Sequence, residues 1–310
     1  MTNAAVEWVR GHRRAAVAAL GAAGAAACLT WLALPAGGGP HEAVPLPPPR
    51  TATGYFTPES GSTVGTAMIV SVVFDHPVTR RSAVSRAVRV LATPGVPVAG
   101  HWFGDRRLDL RPQRFWAAGT LVDLRLRLDG VETAPGRYGT QSKDIVFRVG
   151  REQADEVDAA RHTLTVRRGG RTVRVLPVST GDPGHATYDG TMVITQKFAR
   201  TRMNGATVGF GGAYDIADVP HAMRLTDSGT FLHGNYWSPR GVFGAANTSH
   251  GCVGLPDARG GAPDSPAGWL YGQSLVGDPV TVTHSTGPRV GPGNGLGGWN
   301  LPWREWTATG

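Results

Sequence analysis

The chain has 310 residues, 31 Lys or Arg against 23 Asp or Glu, a formal net charge of +8, 44 Gly and 23 Pro. That length allows two domains with a core each, and the load of turn formers with few long amphipathic periods points away from helical architecture toward loop-rich β structure. The positive balance would suit an anionic polymer, a nucleic acid or a membrane surface, but the arginines are scattered along strand-like stretches, so charge supports no nucleic-acid partner.

At the N-terminus, Arg10–Arg14 is basic and Ala15–Leu34 is apolar or nearly so, long enough as a helix to cross a bilayer with its positive flank inside. Three readings are open for residues 1–34: a single-pass anchor, a cleaved secretory signal, or a lipoprotein signal using Cys28. The last is disfavoured because Ala25 stands where leucine is usual and the apolar run continues to Leu34. All three export the remainder to the cell envelope. Residues 35–50 are Pro- and Gly-rich and read as an extended spacer.

Residues 51–150 carry short strand patterns. In Thr120–Leu128, Val122, Leu124, Leu126 and Leu128 alternate with Asp123, Arg125 and Arg127, the period of a strand with one face in a core. Further apolar runs at Ile69–Phe74, Ala87–Leu91 and Ile145–Val149 suggest a small β-sandwich. His76, His101 and Trp102 read as surface and core fillers. A charged join at Arg151–Ala160 leads to His162–Val166 and Arg171–Ser179, which flank Gly169-Gly170, a hairpin signal. Thr191–Thr195 should be the next strand.

Met203–Tyr214 is Gly-rich without the lysine of a phosphate loop, so it is expected as a lid over a cleft, with Tyr214 either a substrate contact or an ordinary half-buried aromatic. His221 precedes the strand that delivers His233 and is read as structural. Asp257–Trp269 is turn-rich, and Ser274–His284 is expected as a hairpin. The tail Gly295–Trp306 holds three tryptophans, which should pack back on the body rather than stack on carbohydrate.

Chemistry concentrates in Phe231–Leu255, FLHGNYWSPRGVFGAANTSHGCVGL. Cys252 is the one cysteine outside the N-terminal segment, and it has no disulfide partner in its own domain. A thiol attacks carbonyl carbon as thiolate, and a neighbouring imidazole is the usual means of making one near neutral pH. Cys252 is therefore the candidate nucleophile, kept ionised by His233. Small neighbours such as Ser249, Gly251 and Gly254 should place the sulfur on an accessible loop, with backbone N–H groups near an oxyanion. A zinc site from His233, His250 and Cys252 is the rival, although no second nearby cysteine supports it.

His233, fifteen residues, then Ser249-His250-Gly251-Cys252 resembles the signature of L,D-transpeptidases with a YkuD-like catalytic domain. The resemblance implies that Cys252 is acylated, that His233 is its base, and that Ser249, His250 and Gly251 shape the loop. It departs at Gly254, where the family has a polar residue two after the cysteine, and at Gly234, where a hydroxyl residue follows the base; the Gly234 carbonyl could still orient the imidazole. Ser179-Thr180-Gly181 and Tyr188-Asp189-Gly190-Thr191 are partial matches to other family elements. Gly61–Gly65, Phe74–Val78 and Arg111-Pro112 resemble the immunoglobulin-like domain that precedes the catalytic domain in some members, and the tail resembles their C-terminal extension.

The resemblance implies a mostly β chain: an immunoglobulin-like sandwich over 51–150, a catalytic domain over 151–286 and a Trp-rich extension over 287–310. It implies cross-linking of peptidoglycan stems, with a tetrapeptide donor, an amine acceptor, no metal or organic cofactor, and covalent inhibition by carbapenem-type β-lactams. A cysteine peptidase or L,D-carboxypeptidase, and a non-catalytic wall-binding protein, are the alternatives.

Overall fold

Period-two alternation governs the chain from residue 50 onward. The computed structural model describes residues 50–208 and 211–308. The expected anchor or signal at 15–34, Cys28, and the spacer up to residue 49 lie outside the described residues. Among the described residues no helix is long and apolar enough to cross a membrane.

Two four-stranded sheets form the expected sandwich. One has the order Gly54–Thr57, Val70–Phe74, Arg107–Pro112, Val98–Phe103, and the other Thr63–Val64, Ser142–Val149, Leu121–Arg127, Val88–Thr93. Val122, Leu124 and Leu126 are buried while Arg125 and Arg127 face water, as the alternation requires. Val70, Val72, Phe74 and Leu108 from the opposite sheet enter the same core. Each such side chain, taken out of water, stabilises the fold by roughly 1.5–3 kcal/mol.

The second half is built on two further sheets around its own core. A five-stranded sheet has the order Arg171–Pro177, Thr163–Arg168, Ala154–Asp158, Pro279–Thr283, Gly190–Val193. A four-stranded sheet runs Gln196–Asn204, Asp215–Arg224, Phe231–Asn235, Val253–Pro256. Leu164, Val166, Val280 and Val282 of the first share one buried cluster with Met223, Leu232, Val253 and Leu255 of the second. The Gly169-Gly170 turn is present, and both residues take positive φ, 53° and 74°, which the hairpin needs and glycine adopts without a Cβ clash.

The expected hairpin at Ser274–His284 is not formed. Its second half is one strand, Pro279–Thr283, which pairs parallel with Ala154–Asp158 and antiparallel with Gly190–Val193. Its first half is committed elsewhere: Gly65 N–H donates to the Val276 carbonyl at 2.8 Å and Ala67 N–H to the Gly277 carbonyl at 2.9 Å, tying this turn to the sandwich. The turn-rich segment before it also ends earlier than expected, because a helix spans Pro266–Gln273. Ser265 caps it, accepting from Gly268 N–H at 2.9 Å, and proline at the first turn sacrifices no needed donor.

The tail packs on the sandwich. Trp299 Nε1–H donates to the Ala67 carbonyl at 2.8 Å and Trp306 Nε1–H to the Ala99 carbonyl at 2.9 Å. The buried Arg111 guanidinium lies 4.6 Å from the Trp299 ring centre, 5.3 Å from Trp303 and 4.3 Å from Trp306. Burial pulls Arg111 down to about 10, still charged at neutral pH, so three electron-rich faces act in place of water around the cation. The same tail reaches the five-stranded sheet: Asn300 accepts from Thr191 N–H at 3.0 Å and donates to the Thr191 carbonyl at 2.6 Å. Trp102 is a core residue of the sandwich, and His101 stacks on Trp306, in keeping with their reading as fillers.

Candidate active site

The strands Phe231–Asn235 and Val253–Pro256 run parallel, with Leu232 opposite Val253, His233 opposite Gly254 and Gly234 opposite Leu255. Parallel partners share a face, so Leu232, Val253 and Leu255 point into the core while His233 points away from it. Cys252 stands one residue before its strand, on the same face as Gly254 by alternation. The fold thus brings the candidate base and nucleophile to one side of the sheet, across a long loop.

A cavity of about 500 Å³ opens on that side. Of the residues expected at the site, Cys252, His233, Ser249, His250 and Tyr214 line it. Gly251 and Gly234 are not among its lining residues and act through backbone. The expected lid Met203–Tyr214 begins inside the strand Gln196–Asn204, where Met203 pairs with Ile216, and ends just before the strand Asp215–Arg224; Met203 and Tyr214 both line the cavity.

His233 is buried and its Nδ1 lies 2.9 Å from the Gly234 carbonyl. A carbonyl only accepts, so Nδ1 carries the proton and Nε2 is left as the basic nitrogen. Burial lowers the His233 pKa from the usual histidine value, and the Gly234 bond and the charge of Asp257 oppose this. The Trp237 ring is stacked on the imidazole at 5.5 Å and 9°.

Cys252 is partly exposed as a residue, but its sulfur sits in dense surroundings and the thiol is pushed up to about 11. Its S–H points to the Gly229 carbonyl at 3.5 Å. Desolvation disfavours the thiolate at Cys252 and the imidazolium at His233 alike, which runs against the ionised sulfur expected from the sequence.

The loop before Cys252 is fixed by Ser249 and Gly251. Ser249 Oγ–H donates to the Cys252 carbonyl at 2.6 Å and Oγ accepts from Gly251 N–H at 3.1 Å. Gly251 has φ 107°, a region that strains any other residue. Ser179 N–H donates to the Gly254 carbonyl at 3.0 Å and Gly254 N–H to the Ser179 carbonyl at 2.8 Å, tying the loop's exit to the segment that follows the strand Arg171–Pro177. The His250 ring lies against Tyr214 and His185, 5.4 and 4.7 Å between centres.

Both departures at glycine acquire a physical reason. A Cβ at Gly254 would stand 3.4 Å from Asn235 Nδ2, so the buried Asn235 amide fills the space where a longer side chain would lie. A Cβ at Gly234 would collide with the Asp257 carboxylate, whose Oδ2 accepts from His221 Nδ1–H at 2.7 Å. Trp237, Asn235 and Asp257 were missed in the sequence. The glycine directly after His233 was the signal available for Asp257, since a bare Cα inside a strand marks a close approach by another group.

Comparison with known proteins gives a consistent picture. Residues 155–282 match the L,D-transpeptidase catalytic domain family and residues 45–132 the bacterial Ig domain family. L,D-transpeptidase 2 of Mycobacterium tuberculosis is 31% identical over 258 residues, which are 82% of this chain and 61% of the relative, so this chain spans about three fifths of that relative's length. L,D-transpeptidase 1 of Mycobacterium tuberculosis is 32% identical over 248 residues, 77% of this chain and 88% of the relative. A solved L,D-transpeptidase in complex with imipenem has a TM-score of 0.61 and 29% identity, over 76% of this chain and 100% of that one.

Proposed function

Since the chain belongs to the L,D-transpeptidase family, a bacterial Ig domain preceding the catalytic domain in a mostly β fold, we propose that it cross-links peptidoglycan stem peptides through a thioester on Cys252. One observation carries this reading: Cys252 and His233 line a single cavity, with the imidazole's Nδ1 already occupied and Nε2 left for the thiol. His233 Nε2 takes the Cys252 proton as sulfur attacks the carbonyl at the L-centre of the third residue of a tetrapeptide stem. The C–N bond to the terminal D-Ala breaks, and His233 returns the proton to the leaving amine. Backbone N–H groups around Cys252 stabilise the oxyanion. The side-chain amine of a neighbouring stem then attacks the thioester, His233 takes its proton, and the thiol leaves, joining two third residues. No metal or organic cofactor enters these steps.

Ser249 and Gly251 hold the loop, and His250 and Tyr214 form the wall against which a stem would lie. Residues 51–150 are assigned as the immunoglobulin-like domain, 151–286 as the catalytic domain and 287–310 as the extension. An exported chain held at the membrane or released by processing of residues 1–34 fits a substrate outside the cell. The imipenem complex of the related enzyme supports covalent inhibition by carbapenem-type β-lactams here as well, since their strained carbonyl suits the same thiol.

Incubation with imipenem followed by intact-mass measurement tests the nucleophile: one adduct on the wild type and none on Cys252→Ala is the expected result. A defined tetrapeptide donor with and without an added amine then separates cross-linking from L,D-carboxypeptidase activity, in which water resolves the thioester. Absence of both adduct and product would leave the wall-binding alternative.

A further inference from the structure

Behind His233 lies a His–carboxylate pair, His221 and Asp257, that the mechanism above does not use. His221 sits inside the strand Asp215–Arg224 at φ 48°, a conformation that strains a residue with a Cβ. Its ring donates to Asp257 Oδ2, and Asp257 Oδ1 accepts from Ala258 N–H at 2.8 Å and Ala262 N–H at 2.9 Å. The carboxylate is wholly enclosed, with 0% side-chain exposure. It presses on the Cα of Gly234, and Asp257 N–H donates to the Asn235 carbonyl at 3.3 Å. Asp257 thus grips the backbone on both sides of the Gly234 carbonyl, the group that fixes the tautomer of His233.

We propose that Asp257, clasped by His221 and admitted by the bare Cα of Gly234, is a positioning residue for His233. It holds the Gly234 carbonyl against Nδ1–H and supplies a buried negative charge that favours the imidazolium formed when the thiol gives up its proton. The inference rests on the acyl-enzyme reading above. It gives this chain a substitute for a hydroxyl residue after the base: Asp257 reaches the same backbone from the following loop. A buried charge acts strongly because little water screens it, and a carboxylate held by three hydrogen bonds, from His221, Ala258 and Ala262, is fixed in place.

The other groups around the ring do not duplicate this charge. Cys252, Tyr214 and His250 share the cavity with His233, and Trp237 covers its face without a charge. Arg259 and Asp218 are engaged with Tyr236, the first over its ring and the second accepting from its hydroxyl at 2.6 Å.

The test uses the full-length chain, wild type and Asp257→Asn, in two measurements. Histidine NMR titration of His233 reads the electrostatic effect without any turnover. Imipenem acylation rates between about pH 4 and pH 9 read its consequence. The expected result is a His233 midpoint lower by about half a pH unit or more, an acid limb displaced equally, and a plateau several-fold lower. Gly234→Ala, which keeps every hydrogen-bonding group but takes the carboxylate's room, should shift the midpoint the same way and serves if Asp257→Asn does not fold. A reduced rate with an unmoved midpoint would make Asp257 merely structural and overturn the proposal. Loss of the parent reading would look different, with no imipenem adduct even on the wild type while the NMR comparison still decides the role of Asp257.

Discussion

His233 faces Gly254 across a parallel strand pair, and this one register places ring and thiol on the same side of the sheet. A polar residue at 254 would project beside His233, where the Asn235 amide now lies. Gly254→Ala should be nearly neutral in stability, because its Cβ meets Asn235 at 3.4 Å and Gly254 has an ordinary φ. Gly251→Ala should cost about 1–2 kcal/mol, since φ 107° must be kept or the nucleophile loop displaced. Urea unfolding together with imipenem acylation checks the contrast; equal loss at both positions would contradict it.

The desolvation of Cys252 and His233 predicts a kinetic signature. With Cys252 pushed up to about 11 and His233 lowered, acylation should fall only below the usual histidine range, where the base becomes protonated, and stay level through neutral pH. Iodoacetamide alkylation of His233→Gln, which lacks the base, should rise about tenfold per pH unit toward 11. Rapid alkylation of that variant that is unchanged down to mildly acidic pH would instead indicate a stable thiolate.

Asp155 makes a prediction about stability and pH. It is buried, hydrogen-bonded to Gln153 Nε2 at 3.2 Å, and raised to about 7 by desolvation and then by the charge of Asp278. A folded-state value above the unfolded one means the native chain binds the extra proton between the ordinary carboxylate value of 3.8 and about 7. Stability should therefore fall as pH rises through that window, by roughly 2–4 kcal/mol. Asp155→Asn should flatten the slope; urea midpoints across the range measure it, and an unchanged slope would assign the effect elsewhere.

The Trp306 ring is fully buried beneath the sandwich, against Arg111 and Ala99. Trp306→Ala should cost about 3–5 kcal/mol by leaving a cavity and stripping one face from a buried cation. Thermal unfolding of the variant should show a lowered midpoint, and a midpoint within a degree or two of wild type would mean the tail is only loosely held.

Legibility followed the range of the interaction. Alternation at Val122, Leu124 and Leu126 and the Gly169-Gly170 turn are local, so strand and hairpin could be read directly. The motif around Cys252 was equally plain. Ser274–His284 misled because its apolar alternation was real while its partners, Asp155–Asp158 and Gly190–Val193, are far away in sequence. Asp257 looked like one more turn residue, and only three-dimensional proximity joins it to His221 and Gly234. The desolvation of Cys252 was hidden for a related reason: local residue types suggested an open loop, whereas burial of the sulfur is set by everything packed around it.

The Asn300 side chain grips the five-stranded sheet through Thr191, while a few residues either way the indoles of Trp299 and Trp306 are bonded to the sandwich. A strap fastened at both ends turns hinge motion into stretching of short hydrogen bonds. Residues 299–306 therefore resist any parting of the sandwich from the five-stranded sheet, since separation would have to break bonds at both ends of one short segment.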